Sequence, residues 1–193
     1  RGKKVVIAKS GVGKVFSAMI CQKLIDKYNI SNIIFTGVAG SLNSSLEIGD
    51  VVVSTDSCHH DLDAQALGFK RGQIPYTDLR FFKAEEKLVE LALTAKIPGH
   101  KILAGRILTG EQFITHKVKQ EKKKIFEELE GMCIEMEGAS VAQVCNVNSI
   151  PHIIIRSISD KSDSNSVADF DKFKFVVAEN SYKIVEHILE KIA

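Results

Sequence analysis

The residues most able to do chemistry stand where apolar runs end. In "CIEMEGAS", Glu135 and Glu137 flank Met136, directly after an apolar run and before small residues that suit a helix. In "HIIIRSISD", a β-branched run leads into Arg156, Ser159 and Asp160. Burying ionisable groups costs free energy unless they are paired or serve a function. Arg156 could simply pair with a glutamate, and Asp160 could cap a helix or close a turn. The same groups could also accept hydrogen bonds from sugar hydroxyls and supply an acid. In "GEQFITH", Phe113 could stack on a planar base and the Ile114 backbone could read its edge, although both also suit a core. "GVAGS" reads as a loop after a strand, where Gly37, Ala39 and Gly40 could bring backbone N–H groups close to a ligand. Together these strand ends outline a site for a ribonucleoside.

Other motifs carry less. "SGVGK" resembles a phosphate loop, but Ala8 stands where the first glycine belongs and Val15 where Ser or Thr belongs, so a tight turn is expected. "HHDLD", His59 to Asp63, matches no familiar ligand spacing, and no metal is expected. "HKVKQEKKK", His116 to Lys124, reads as a solvated helix face, with polyanion binding as the sharper possibility.

Elements that alternate between strand and helix periodicity must position these residues. Strands are expected at Val5–Lys9, Ile33–Thr36, Asp50–Ser54, Ile102–Thr109, Met132–Glu135 and Ile153–Ser159. Helices are expected at Lys14–Tyr28, Ala84–Lys96, Thr115–Leu129, Glu137–Val147 and Phe170–Ile192. In the first helix Val15, Ala18, Met19, Gln22 and Ile25 form the expected inner face. In the last, Phe173, Val177, Ile184, Ile188 and Ile192 do so. This alternation predicts an α/β domain with helices on a central sheet. Leu67–Phe82 is the longest expected loop.

The 193 residues are 45% hydrophobic with a formal net charge of +2. That suits one domain spanning 1–193 and demands neither nucleic acid nor membrane as partner. Apolar stretches are too short to span a bilayer. Cys21, Cys58, Cys133 and Cys145 show no CxxC spacing, and the three of them in apolar-periodic segments read as core thiols, in keeping with a reducing compartment.

The chain resembles the nucleoside phosphorylase/hydrolase superfamily and, within it, 5'-methylthioadenosine/S-adenosylhomocysteine nucleosidases. The resemblance runs along nearly the whole chain, through "KSGVGKV", "TGVAGSL", "EIGDVVVS", "HHDLDAQALGF", "GQIPY", "GEQFI", "IEMEGASVAQVC", "RSISD" and "DFDKF". It implies a single α/β domain around a mixed, partly barrel-like sheet. It also implies hydrolysis of the N-glycosidic bond of adenosine thioethers without cofactor or metal. Adenine and a 5-thioribose sugar would be released.

Residue by residue, the resemblance makes Asp160 the general acid, oriented by Ser159, and Glu137 the ribose-binding carboxylate. Met136 would lie against the sugar, Glu135 would support the sugar and water network, and Arg156 would help hold the attacking water. Phe113 would stack on adenine, Ile114 would read it, Gly40 would contribute backbone, and Phe170 would close over the ligand. A homodimer is implied, with the Leu67–Pro75 loop reaching the neighbouring site, and a cytoplasmic location. Leu67 and Val38 depart from residues common in relatives. The family's water-activating glutamate would precede Arg1 on an N-terminal strand and loop, as would any leader. The 193 residues alone are therefore expected to hydrolyse poorly. The nearest rival is a purine nucleoside phosphorylase, but Phe35 stands where such enzymes carry a phosphate-binding arginine. A second, polyanion- or glycan-binding activity through Lys117–Lys124 is the rival of a different class.

Overall fold

In the computed structural model, residues 3–162 and 166–192 are described. The elements run α1 (Lys14–Lys27), β1 (Ile33–Ser41), β2 (Val51–His59), β3 (Phe82–Lys83), α2 (Glu86–Leu93), β4 (Ile102–Thr109), α3 (His116–Glu121), α4 (Lys123–Glu128), β5 (Gly131–Glu135), α5 (Gly138–Val147), β6 (His152–Asp160) and α6 (Ser166–Lys191). The sheet order is β3-β2-β4-β5-β1-β6, and β2 also pairs with β6. That extra pairing closes five strands into a mixed barrel and leaves β3 outside on β2. The open sheet that alternation alone suggests is thus replaced by the partly barrel-like sheet that the resemblance implied.

β-branched runs make this closure possible. Val51 and Val53 of β2 share one buried cluster with Ile153, Ile155, Ile184 and Ile188, while Val52 joins Ile107, Ile154 and Ile158 in another. Alternate residues of one strand are therefore buried on opposite faces, as strands covered on both sides require. All nine residues of β6 are buried. A third cluster, with Leu108, Ile114, Phe126 and Leu129, fixes α3 and α4 beside the end of β4.

Four expectations are corrected. Residues 5–9 form no regular element, and Ile7 is 92% exposed. β-branched composition favours a strand, but a strand exists only where a neighbouring backbone completes its ladder. α1 turns a different face inward: Ser17 and Cys21 are buried, whereas Val15 and Met19 are 70% and 62% exposed. The expected helix over Thr115–Leu129 breaks at Lys122 (φ −100°, ψ 8°) into α3 and α4. Finally, "GVAGS" is not a loop. β1 continues through it, paired with β6 up to an irregularity between Ala39 and Gly40, then with β5 at Gly40 and Ser41. A bulge of that kind re-aims the strand beside the site.

Candidate active site

Alongside the second half of β1 lies a cavity of about 400 Å³, in the range of small-molecule sites. All ten residues singled out from the sequence line it: Gly40, Phe113, Ile114, Glu135, Met136, Glu137, Arg156, Ser159, Asp160 and Phe170. They come from β1, the β4–α3 connection, the β5–α5 junction, β6 and the start of α6. Their convergence is a product of barrel closure.

The charged centre is a carboxylate pair sharing one guanidinium. Glu135, 6% exposed, is held by four donors. Its Oε1 accepts from the Thr109 hydroxyl. Its Oε2 accepts from Arg156 Nη2 and from the backbone N–H groups of Glu137 (3.0 Å) and Gly138 (2.7 Å). Those two N–H groups belong to the first turn of α5, where a helix offers unpaired donors and favours negative charge. Glu135 is thus largely spent on the protein itself. Glu137 is less committed. Its Oε1 accepts the Gly13 N–H at 2.8 Å, and its Oε2 stands 3.5 Å from Arg156 Nη2. Burial pushes the Glu137 carboxyl above its ordinary value; Arg156 opposes this and the Glu135 charge adds to it.

Arg156 crosses β1 at Gly37, where any β-carbon would overlap Nη1. Its guanidinium lies over the Phe35 ring, 4.7 Å from the centroid. Its Nε is buried and has no hydrogen-bond partner among the described residues. Gly40 plays the matching part for Asp160: a β-carbon there would meet Ser162 Oγ and Asp160 Oδ1. Asp160 Oδ2 accepts from Ser159 Oγ at 3.0 Å, and Oδ1 from the Ser162 N–H at 2.9 Å. The second contact is an Asx-type turn, so Asp160 is at once a turn residue and a cavity group. Phe113, 38% exposed, meets Phe170 edge-on at 5.7 Å, and the pair walls one side. Ile114 is buried in the third cluster and also borders the cavity.

Sequence reasoning missed several participants. Thr109 and Ser162 had no motif of their own, and Lys9 to Val12 line the cavity from an irregular segment. The glycine spacing in "GVAG" was the one available signal, read as a loop rather than as room for Arg156 and Asp160. The "SGVGK" turn is filled from within. The Gly13 and Lys14 N–H groups bind the Glu137 and Glu111 carboxylates, and Lys14 Nζ pairs with Asp61 at 2.7 Å. Phosphate has no place there. No group of three His, Cys, Asp or Glu able to hold a metal is found among the described residues. His59 bonds Gln143 at 3.1 Å, and His60 packs edge-on against Phe126. In the basic run, Lys119 binds the carbonyls of Ser41 and Lys161, Lys122 binds Gln112, and Lys117 and Lys123 face Glu121 and Glu127.

Comparisons with known proteins show the family. The phosphorylase superfamily model matches residues 1–190. An aminodeoxyfutalosine nucleosidase of Campylobacter jejuni is 40% identical over 98% of this chain and 82% of its own. A 5'-methylthioadenosine/S-adenosylhomocysteine nucleosidase of Bacillus cereus is 40% identical over 99% of this chain and 83% of its own. The nucleosidase of that name from Neisseria meningitidis, solved with methylthio-immucillin-A, superposes with a TM-score of 0.89 at 34% identity, covering 95% of this chain and 79% of that one. By sequence and by fold, the chain belongs to the phosphorylase superfamily, in the branch of 5'-methylthioadenosine/S-adenosylhomocysteine nucleosidases and their near relatives.

Proposed function

We propose that the protein is an N-glycosyl hydrolase that cleaves 5'-methylthioadenosine and S-adenosylhomocysteine, releasing adenine and the 5-thioribose sugar. The observation that carries this reading is the charge arrangement: Glu135 and Glu137 share the single guanidinium of Arg156. With two carboxylates on it, that guanidinium has no charge left over for phosphate, and carboxylates facing the sugar stabilise an oxocarbenium-like state, so water is the fitting nucleophile. Phe35, stacked under Arg156, adds no second cation.

Each group then has a role. Glu137 accepts hydrogen bonds from the 2'- and 3'-hydroxyls with the lone pairs its two protein contacts leave over. Met136 packs its thioether on the sugar. Phe113 stacks on adenine and Phe170 covers it. Asp160, fixed in plane by Ser159 and the Ser162 N–H, protonates the base as the bond breaks, making adenine a better leaving group. Arg156 helps hold the attacking water, while Glu135 holds Arg156 in place. The protein acts as a homodimer. Val12, Val15, Phe16 and Met19, each 62–70% exposed at helical spacing, form an apolar stripe that suits a subunit contact. The exposed Leu67, at the head of the Leu67–Pro75 loop, extends toward the neighbour's cavity. Four unpaired buried thiols fit work in the reducing cytoplasm.

The test is adenine release from methylthioadenosine by protein made from its whole reading frame, in phosphate-free buffer, with phosphate added, and with Asp160→Asn. Release without phosphate that disappears in Asp160→Asn is the expected result. Release only with phosphate would make the protein a phosphorylase. Release from aminodeoxyfutalosine but not from methylthioadenosine would move the substrate assignment to the other named relative.

A further inference from the structure

Glu137 can grip a ribose only if its carboxylate is held still, and its own helix does little to hold it. As the residue preceding α5 it has φ −139° and ψ −37° and makes no side-chain cap. Its fixed oxygen, Oε1, is instead anchored on the Gly13 N–H, which belongs to the turn before α1. The Oε1 anchor therefore holds only while the N-terminal turns of α1 and α5 keep their spacing, whereas Oε2 rests on Arg156 Nη2 at 3.5 Å. One buried polar contact spans those turns. Ser17 Oγ lies 2.7 Å from Ser140 Oγ, with the two residues 1% and 6% exposed. Ser17 Oγ also lies 3.0 Å from the Gly13 carbonyl, and Ser140 Oγ 2.6 Å from the Glu137 carbonyl. Two hydroxyl protons cannot fill all three contacts: with Ser140 donating to the Glu137 carbonyl and Ser17 donating to Ser140, Ser17 stays tied to Gly13 through its own N–H, 3.2 Å from the Gly13 carbonyl, so the pair links the same two residues that the Gly13 N–H to Glu137 Oε1 bond joins.

We propose that Ser17 and Ser140 are positioning residues for the ribose-binding carboxylate: their hydroxyl pair clamps α1 to α5 so that Gly13 N–H holds Glu137. The role rests on the function proposed above, since it concerns how Glu137 meets substrate. Neither serine lines the cavity. The α1–α5 seam also holds the Cys21 thiol, 4.0 Å from the Val141 carbonyl and 3.8 Å from Cys145 Sγ, and an amide pair, Asn148 to Gln22 at 2.8 Å. Both lie farther along the helices, away from Glu137. The serine pair sits at the end where the carboxylate is set.

Alanine suits both positions, being small and a strong helix former, so Ser17→Ala, Ser140→Ala and the double variant should fold. The readout is selectivity, because a general loss of stability would weaken all substrates alike. Each variant is assayed with 5'-methylthioadenosine and with its 2'-deoxy analogue, which lacks one hydroxyl that Glu137 binds. The expected result is a fall of about fivefold in the ribo-to-deoxy ratio of kcat/KM, the size of one ordinary hydrogen bond. The double variant should fall no further than the singles, because the pair acts as a unit. An unchanged ratio in an active enzyme overturns the clamp. A second measurement needs no activity: hydrogen exchange at the Gly13 amide should quicken in Ser17→Ala, and unchanged protection also overturns the clamp. If wild type releases no adenine from either nucleoside, the functional reading fails, and the exchange result alone decides whether the clamp exists.

Discussion

Replacing Glu135 by Gln separates the structural and the chemical parts of the charged centre. Glu135 receives four hydrogen bonds, one of them from Arg156, and both side chains are almost fully buried. A glutamine keeps one carbonyl oxygen, which best replaces Oε2 and its three donors. Its NH2 then faces Thr109 Oγ1, which already accepts the Ala139 N–H at 2.7 Å, and the threonine proton loses its acceptor. The larger loss is the charge. Removing one partner of a buried ion pair typically costs about 3–5 kcal/mol. Glu137 Oε2, 3.5 Å from the same Arg156 nitrogen, compensates in part, so the lower end, about 3 kcal/mol, applies. With a urea slope of about 2 kcal/mol per M, the unfolding midpoint should fall by about 1.5 M at neutral pH. The same variant removes the like charge that raises the Glu137 pKa, so Glu137 should ionise at lower pH. The acidic limb of the kcat/KM profile should move down with it. A midpoint within about 0.5 M of wild type, or an acidic limb that moves up, would refute the view that Glu135 is the anchor of Arg156 and the electrostatic neighbour of Glu137.

Three further outcomes are expected. Gly37→Ala places a methyl where Arg156 Nη1 lies, so the guanidinium must leave its carboxylates; adenine release should fall by about 100-fold or more, far beyond the usual cost of Gly→Ala in a strand, as steady-state kinetics will show. Glu137→Gln should lose activity yet gain stability at neutral pH. Its folded pKa is raised, so ionisation penalises the fold as pH climbs from the ordinary 4.5 through the folded value; urea midpoints at pH 4 and pH 7.5 should therefore favour the variant only at the higher pH. His60 is buried with neither ring nitrogen partnered among the described residues, and burial pushes its pKa down from 6.5 to about 4. The unfolded chain then takes up a proton that the native state refuses, so stability should decline as pH falls from about 6.5 to about 4. His60→Leu should flatten that decline in thermal melts recorded across the window.

How much of this was legible in sequence varies with the kind of signal. β4 was read residue for residue, because its mostly apolar stretch from Ile102 to Thr109 is closed by Gly110. The terminal helix was read from Val177, Ile184 and Ile188, which are indeed buried. Signals failed where a partner decides. Val5–Lys9 has strand composition but no ladder, and α1 has apolar residues on its exposed face. Ser17, small and polar in sequence, faces inward beside the expected core thiol Cys21 because α5 lies against them. The break at Lys122 carried no proline or glycine to mark it.

By itself the sequence determined the supply of parts. It set β-branched runs able to be buried on both faces, the order of strands and helices, and a set of carboxylates, an arginine and aromatics at the ends of those runs. These are local properties, readable from side-chain type and period. Only the tertiary structure decided what meets what. The β2–β6 pairing closes the barrel and brings β1, β5 and β6 around one cavity. Gly37 and Gly40 leave the space across which Arg156 and Asp160 lie, and α1 reaches over to hold Glu137 through Gly13. Contacts between residues more than a hundred positions apart leave no periodic trace in the chain, because they are fixed by packing and hydrogen bonding among elements rather than within one.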